Sequence, residues 1–215
     1  MLGDIINIRS EYYATSNDIV DYLKELQVWS KPKLAIAIAG ESGSGKSVTA
    51  ICLQHTLAEN GRKALILHLD DYFKLPPRTN HDKRVENIDW VGPEEVRLDL
   101  LQRNVDEFKA GLKELVRPLV NYKLNQILAE TIPLDAYDCI IVEGTYSFLL
   151  ENMDFHVFMD RTYLETKLQR DERGRDVQDD FVEKVLKIEH EIIRAHRPRA
   201  QIIVNKSYQA VTNIK

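Results

Sequence analysis

The sequence predicts an α/β fold, a mostly parallel sheet sandwiched between two layers of helices, on three observations. Short, almost continuous apolar runs alternate with segments of helical periodicity. Each run is four to six residues long, and the first four are followed by a glycine or a carboxylate, in keeping with strands buried on both faces. One of them passes directly into a glycine-rich loop and then a helix. Such alternation implies a parallel sheet covered by helices, with ligands bound beyond the carboxyl ends of the strands.

In chain order, residues 16–27 read as an amphipathic helix capped by Ser16 or Asn17, with Ile19, Leu23 and Leu26 on one face. Residues 34–39 form the first buried strand, 46–59 a helix closed by Asn60-Gly61, and 64–69 a second strand, which completes one βαβ unit. Pro93, Glu94 and Glu95 suit the first turn of a helix that continues through Leu98, Leu101, Val105 and Phe108. Residues 138–142 and 155–159 are further strands. A late helix carries Phe181, Val185, Ile188 and Ile192, and a last strand spans 201–204.

The 215 residues, 44% of them hydrophobic, suffice for one sizeable core, so residues 1–215 are expected to form a single domain. Residues 1–31 are a helical extension of it. A net charge of -5 leaves no large basic surface, and no nucleic-acid partner is expected. No stretch is long and apolar enough for a bilayer, and no basic, apolar leader opens the chain, so no membrane is expected and a cytoplasmic location is. Cys52 and Cys139 read as buried free thiols.

The loop after the first strand, Gly40-Glu41-Ser42-Gly43-Ser44-Gly45-Lys46-Ser47, matches G-x-x-x-x-G-K-[ST] at each fixed position, between a strand and a helix. Its glycines let the backbone curl its N–H groups inward, and the helix N-terminus adds positive dipole character, which together make a phosphate cradle. Lys46 would reach the β and γ phosphates of ATP. The Ser47 hydroxyl would bind Mg²⁺, and Val48 continues the nucleotide-binding segment.

Three further clusters bear on chemistry. Asp70-Asp71-Tyr72-Phe73-Lys74 ends the second strand. A carboxylate there could deprotonate an attacking hydroxyl, help hold Mg²⁺, or only solvate a strand end. Glu143 closes the apolar run 140–142 before Gly144, where it could reach a metal through water or be no more than a polar strand end. Arg170-Asp171-Glu172-Arg173-Gly174-Arg175-Asp176 has the composition of a closing lid over phosphates, or of a solvated salt-bridged turn. The six histidines form no pair at metal spacing and read as structural or exposed.

These motifs, in this order over residues 34–205, resemble those of the uridine kinase, phosphoribulokinase and pantothenate kinase superfamily of P-loop kinases, with its relatives the nicotinamide riboside kinases. The resemblance implies a three-layer P-loop NTPase fold with a small arginine-containing lid at about residues 161–180. It implies Asp70 as catalytic base, with Lys46 on the phosphates. Tyr72 and Phe73 would lie beside the acceptor, and Asp89, in Asn87-Ile88-Asp89, would bind acceptor hydroxyls. Arg170 and Arg173 would contact nucleotide phosphate and Arg175 the substrate, while Ser47 and Glu143 would serve the metal. The chain departs from the uridine kinases at Pro118-Leu119-Val120-Asn121-Tyr122, where that group has Pro-x-Tyr-Asp and a histidine nearby.

The expected activity is transfer of the ATP γ-phosphate to a hydroxyl of a small molecule, a nucleoside first, with nicotinamide riboside or pantothenate as alternatives. A nucleotide-dependent regulatory ATPase or switch is the alternative of another class. Asn205-Lys206-Ser207-Tyr208 lacks the aspartate of guanine switches, which argues against GTP. A homo-oligomer stays open.

Overall fold

The computed structural model describes residues 8–173 and 179–213. Six strands form one sheet: β1 (Leu34–Gly40), β2 (Ala64–His68), β5 (Cys139–Glu143), β6 (Phe155–Met159), β7 (Ile202–Val204) and β8 (Ala210–Thr212), in the order β2-β5-β1-β6-β7-β8. Every pairing is parallel except β7 with β8. A separate antiparallel hairpin is made of β3 (Glu114–Asn121) and β4 (Gln126–Pro133).

The alternation of β1 explains the three layers. Leu34, Ile36 and Ile38 point to one face, where they join Ile19, Val20 and Leu23 of α1 (Ser10–Glu25) and Ala50, Leu53 and Leu57 of α2 (Lys46–Glu59). Ala35, Ala37 and Ala39 point to the other, under Leu101, Val105 and Phe108 of α4 (Leu98–Lys109) and Ile193 of α6 (Asp180–Arg194). Alanines on that second face bring the helices close to the sheet. Shorter helices α3 (Pro77–Glu86) and α5 (Lys167–Arg173) complete the set.

The fold class agrees with the expectation, while several local readings need correction. Helix α1 begins at Ser10, ahead of Ser16: the Ser16 hydroxyl donates to the Tyr12 carbonyl inside the helix and caps nothing. Ile19, Val20 and Leu23 are at most 1% exposed, so α1 is a packed member of one helical layer. Pro93–Glu95 is a separate 3-10 turn, because Val96 leaves the helical path to bridge Phe73, and α4 starts only at Leu98. On α6 the buried positions are Val185, Leu186, Glu189 and Ile193, so the inward face is rotated from the one through Ile188 and Ile192.

The hairpin was not anticipated. Pro118 lies within β3 opposite Ala129, and a ladder of only two strands tolerates a residue without an N–H. Helix α3 was missed as well, since in its sequence, PRTNHDKRVE, only Asn80 is buried and no apolar period marks it.

Candidate active site

Because β1, β2 and β5 run parallel, their carboxyl ends meet on one edge of the sheet. The register sets Ile38 and His68 on either side of Glu143. That edge opens into a cavity of about 730 Å³. Ser42, Gly43, Lys46, Ser47, Asp70 and Glu143 all line it.

The glycine-rich loop curls as its sequence demands. Gly43 (φ 76°) and Gly45 (φ 100°) occupy left-handed backbone that a side chain would strain. Space is lacking too: a Cβ on Gly43 would come within 3.0 Å of both Arg170 Cγ and Thr166 Cβ, and one on Gly45 within 3.1 Å of the Tyr208 ring. Lys46 Nζ donates to the Glu41 carbonyl at 2.9 Å, which folds the lysine over its own loop.

Two histidines hold carboxylates at this edge, Glu143 at the end of β5 and Glu41 in the loop, and sequence spacing had singled out neither. Ser47 Oγ donates to Glu143 Oε1 at 3.1 Å, and His68 Nδ1 meets the same oxygen at 2.7 Å. Burial pushes the Glu143 carboxyl up, but the hydrogen bond and charge of His68, with Lys46 and Ser47, outweigh it and hold that carboxyl below the ordinary range. Glu41 Oε1 meets His190 Nδ1 at 2.7 Å, and its Oε2 accepts the Tyr163 N–H at 2.6 Å. Glu41 is thus turned away from the cavity toward α6 and the segment ahead of α5.

Arg170 lines the cavity beside Gly43, its guanidinium bonded to the Tyr163 carbonyl at 2.5 Å and to Thr166 Oγ1 at 2.7 Å. Thr166 Oγ1 in turn donates to the Ser42 carbonyl, so α5 is tied to the loop. Arg173 ends α5 with no side-chain position described, and Arg175 lies outside the described residues.

The remaining sequence candidates separate. Phe73 lines the cavity. Tyr72 does not: its ring is fully buried and its hydroxyl donates to Asn104 at 2.7 Å, so it packs against α4. Asp89 is exposed on the 3-10 turn Ile88–Trp90 and does not line the cavity. Its neighbour Trp90 turns inward, donating to Asn80 Oδ1 at 2.9 Å. Gly40, Ser44, Gly45 and Val48 lie in or behind the loop, with Val48 packed on Tyr12 and Cys52. Both cysteines are buried and free, as read.

The wall facing the loop was invisible in the motifs. Arg84 of α3 donates through Nε and a terminal nitrogen to the two oxygens of Glu95, at 2.5 and 2.9 Å, and reaches Glu189 Oε1 at 3.0 Å. Asn80 Nδ2 and the Gly92 N–H also donate to Glu95. Among the described residues no group of three or more His, Cys, Asp or Glu could hold a metal unaided, and no helix is long and apolar enough to cross a membrane.

A curled glycine-rich loop with its lysine and serine opens on a cavity that Asp70 and Glu143 also line, an arrangement suited to a nucleotide-binding phosphotransferase. Residues 35–209 match the sequence profile of the Phosphoribulokinase / Uridine kinase family, and the chain belongs to that family and is a small-molecule kinase. The uridine kinase of Bacillus thuringiensis (strain Al Hakam) is 32% identical over 193 residues, 84% of this chain and 88% of that protein. The bifunctional alpha-galactosidase/sucrose kinase AgaSK of Mediterraneibacter gnavus is 25% identical over 201 residues, 85% of this chain, which spans only 22% of that protein's length. The fold is shared with phosphoribulokinase from Rhodobacter spheroides, at a TM-score of 0.62 and 16% identity over 82% of this chain and 71% of that one.

Proposed function

We propose that the chain moves the γ-phosphate of ATP to a hydroxyl of a nucleoside of the uridine type, within one domain spanning residues 1–215. The supporting observation is that Lys46, Ser47 and Asp70 line the same cavity, with room between the phosphate loop and Arg84 for an alcohol of that size. In this reading the acceptor oxygen attacks the γ-phosphorus in line as its proton passes to Asp70. The bond to the β,γ-bridging oxygen breaks, and ADP leaves. Lys46 and the loop amides hold the β and γ phosphates, and Arg170, which lines the same cavity, would offset charge on the moving group.

The donor set at Ser47 and Glu143 fits Mg²⁺. It is all oxygen, and magnesium keeps several waters while taking one or two protein ligands and the substrate phosphates. When bound, the ion would offset phosphate charge.

A panel of uridine, cytidine, nicotinamide riboside, pantothenate and sugar phosphates tests the reading through ADP release. Acceptor-dependent turnover with a nucleoside is expected. Asp70→Asn should cut transfer by about 10²–10⁴-fold while ATP binding stays within about twofold. Turnover independent of every acceptor would favour a regulatory ATPase, and wild-type rates in Asp70→Asn would remove the base assignment.

A further inference from the structure

The resemblance assigns the binding of acceptor hydroxyls to Asp89, yet that side chain is exposed and outside the cavity. A different carboxylate is inside. Glu189 of α6 lines the cavity at 8% exposure. Its Oε1 accepts from Arg84 at 3.0 Å, and among the described residues no hydrogen bond reaches Oε2. Burial pushes its carboxyl up against the opposing charge of Arg84, and Lys46 and Asp70 also act on it, which places it within electrostatic reach of the groups around the reacting hydroxyl.

The carboxylate is also held still. Arg84 is clamped by both oxygens of Glu95, which are themselves held by Asn80 and the Gly92 N–H, while Trp90 fixes Asn80. An aliphatic helix face surrounds Glu189, with Val185 and Leu186 on the same cavity wall. A largely buried carboxylate whose second oxygen opens on the cavity is stabilised by a donor that arrives there, and a sugar hydroxyl is such a donor. Because Oε1 is already engaged, the incoming hydroxyl is directed to one oxygen and hence to one orientation.

We propose that Glu189, and not Asp89, accepts a hydrogen bond from a second hydroxyl of the acceptor and so determines which polyhydroxyl compounds present their reacting oxygen to Asp70. This rests on the kinase reading above and adds a specificity-determining residue to it. The other face of the wall agrees with an uncharged diol: Arg84 already serves two carboxylates and has little attraction left for an anionic acceptor.

Steady-state kinetics with uridine, cytidine and nicotinamide riboside, each beside its 2′- and 3′-deoxy analogue, provide the test. Glu189→Gln keeps the shape and an acceptor for Arg84. It should raise acceptor KM by about 10–100-fold, leave ATP KM within about twofold, and level the preference for the hydroxylated over the deoxy compound. Glu189→Asp keeps the charge opposite Arg84 and withdraws the oxygens by one methylene; it should weaken the same preference and serves if the glutamine variant fails to fold. Asp89→Asn should leave acceptor KM within about twofold. An unchanged preference in both Glu189 variants, or a preference lost in Asp89→Asn instead, overturns the assignment and leaves the kinase reading intact. A wild-type protein that phosphorylates no acceptor removes both together.

Discussion

Replacing Arg84 by Met asks how firmly the acceptor wall is built. The guanidinium is the cation facing Glu95, whose side chain is 0% exposed, and it also bonds to Glu189, whose side chain is 11% exposed. Methionine fills similar space and removes both pairings. Glu95 then keeps the Asn80 and Gly92 donors but loses two charge-assisted bonds, and Glu189 loses its hydrogen-bonded partner. Removing one partner of a buried ion pair costs about 3–5 kcal/mol. At about 2–4 °C per kcal/mol for a chain of this size, the melting temperature should fall by about 6–20 °C. Glu95→Gln in the Arg84→Met background removes the stranded charge while keeping the shape. The double variant should therefore be more stable than the sum of the two single losses predicts, by about 1–3 kcal/mol. Thermal and urea unfolding of the four proteins, followed by circular dichroism, measure this. A fall of less than about 2 °C in Arg84→Met, or strict additivity in the cycle, would refute the view that this buried pair anchors α3 to the Pro93–Glu95 turn.

Other perturbations probe the phosphate side. Gly43→Ala places a Cβ at 3.0 Å from both Arg170 and Thr166 in left-handed backbone, and nucleotide affinity by calorimetry should drop at least about tenfold with little change in the far-ultraviolet spectrum. Ser47→Ala should raise the magnesium concentration needed for half-maximal turnover, as a titration with the metal reads out. The pH dependence follows from Glu143, whose folded-state pKa lies below its unfolded value. The stabilisation it contributes is fully present above the ordinary glutamate value and is lost as pH falls through the depressed folded one. Melting temperatures of wild type and Glu143→Gln should therefore differ most near neutrality and converge under acid; a constant difference would contradict the argument.

Much of the sheet was legible because each parallel strand is buried on both faces and had to be a short apolar run. Residues 155–159 were read to the residue, and the helix 46–59 follows from the loop that launches it. The curl of the glycine-rich loop was equally legible, since its glycines at fixed spacing and the helix after it are written locally. What the sequence hid depends on contacts between distant segments. His68 and His190 meet their carboxylates across 75 and 149 residues, so no local spacing could have paired them. Glu189 follows Ile188 in a helix whose apolar period was read one position off, and there it passes for an outward charge. Asp89 illustrates the converse: its motif is local and readable, but a 3-10 turn sends adjacent side chains in different directions, and here Trp90 takes the inward one.

Helix α6 connects the two halves of the site through consecutive residues. His190 bonds to Glu41 of the phosphate loop, and Glu189 bonds to Arg84 of the facing wall. Successive helical positions point about 100° apart, so one rigid helix serves as the common reference for both walls. The loop side is held further by Tyr163, whose N–H also grips Glu41, while the opposite side is held by the clamp on Glu95. Transfer between two bound molecules needs their reacting atoms placed to a fraction of an ångström. A sheet alone fixes Lys46, Ser47 and Asp70 relative to one another, because they lie beyond the carboxyl ends of β1 and β2, two parallel strands that both pair with β5. It does not fix α3, which has one buried residue of its own and no place in the sheet. The position of that wall must come from side-chain pairing, and the Arg84, Glu95 and Glu189 cluster is where the fold supplies it.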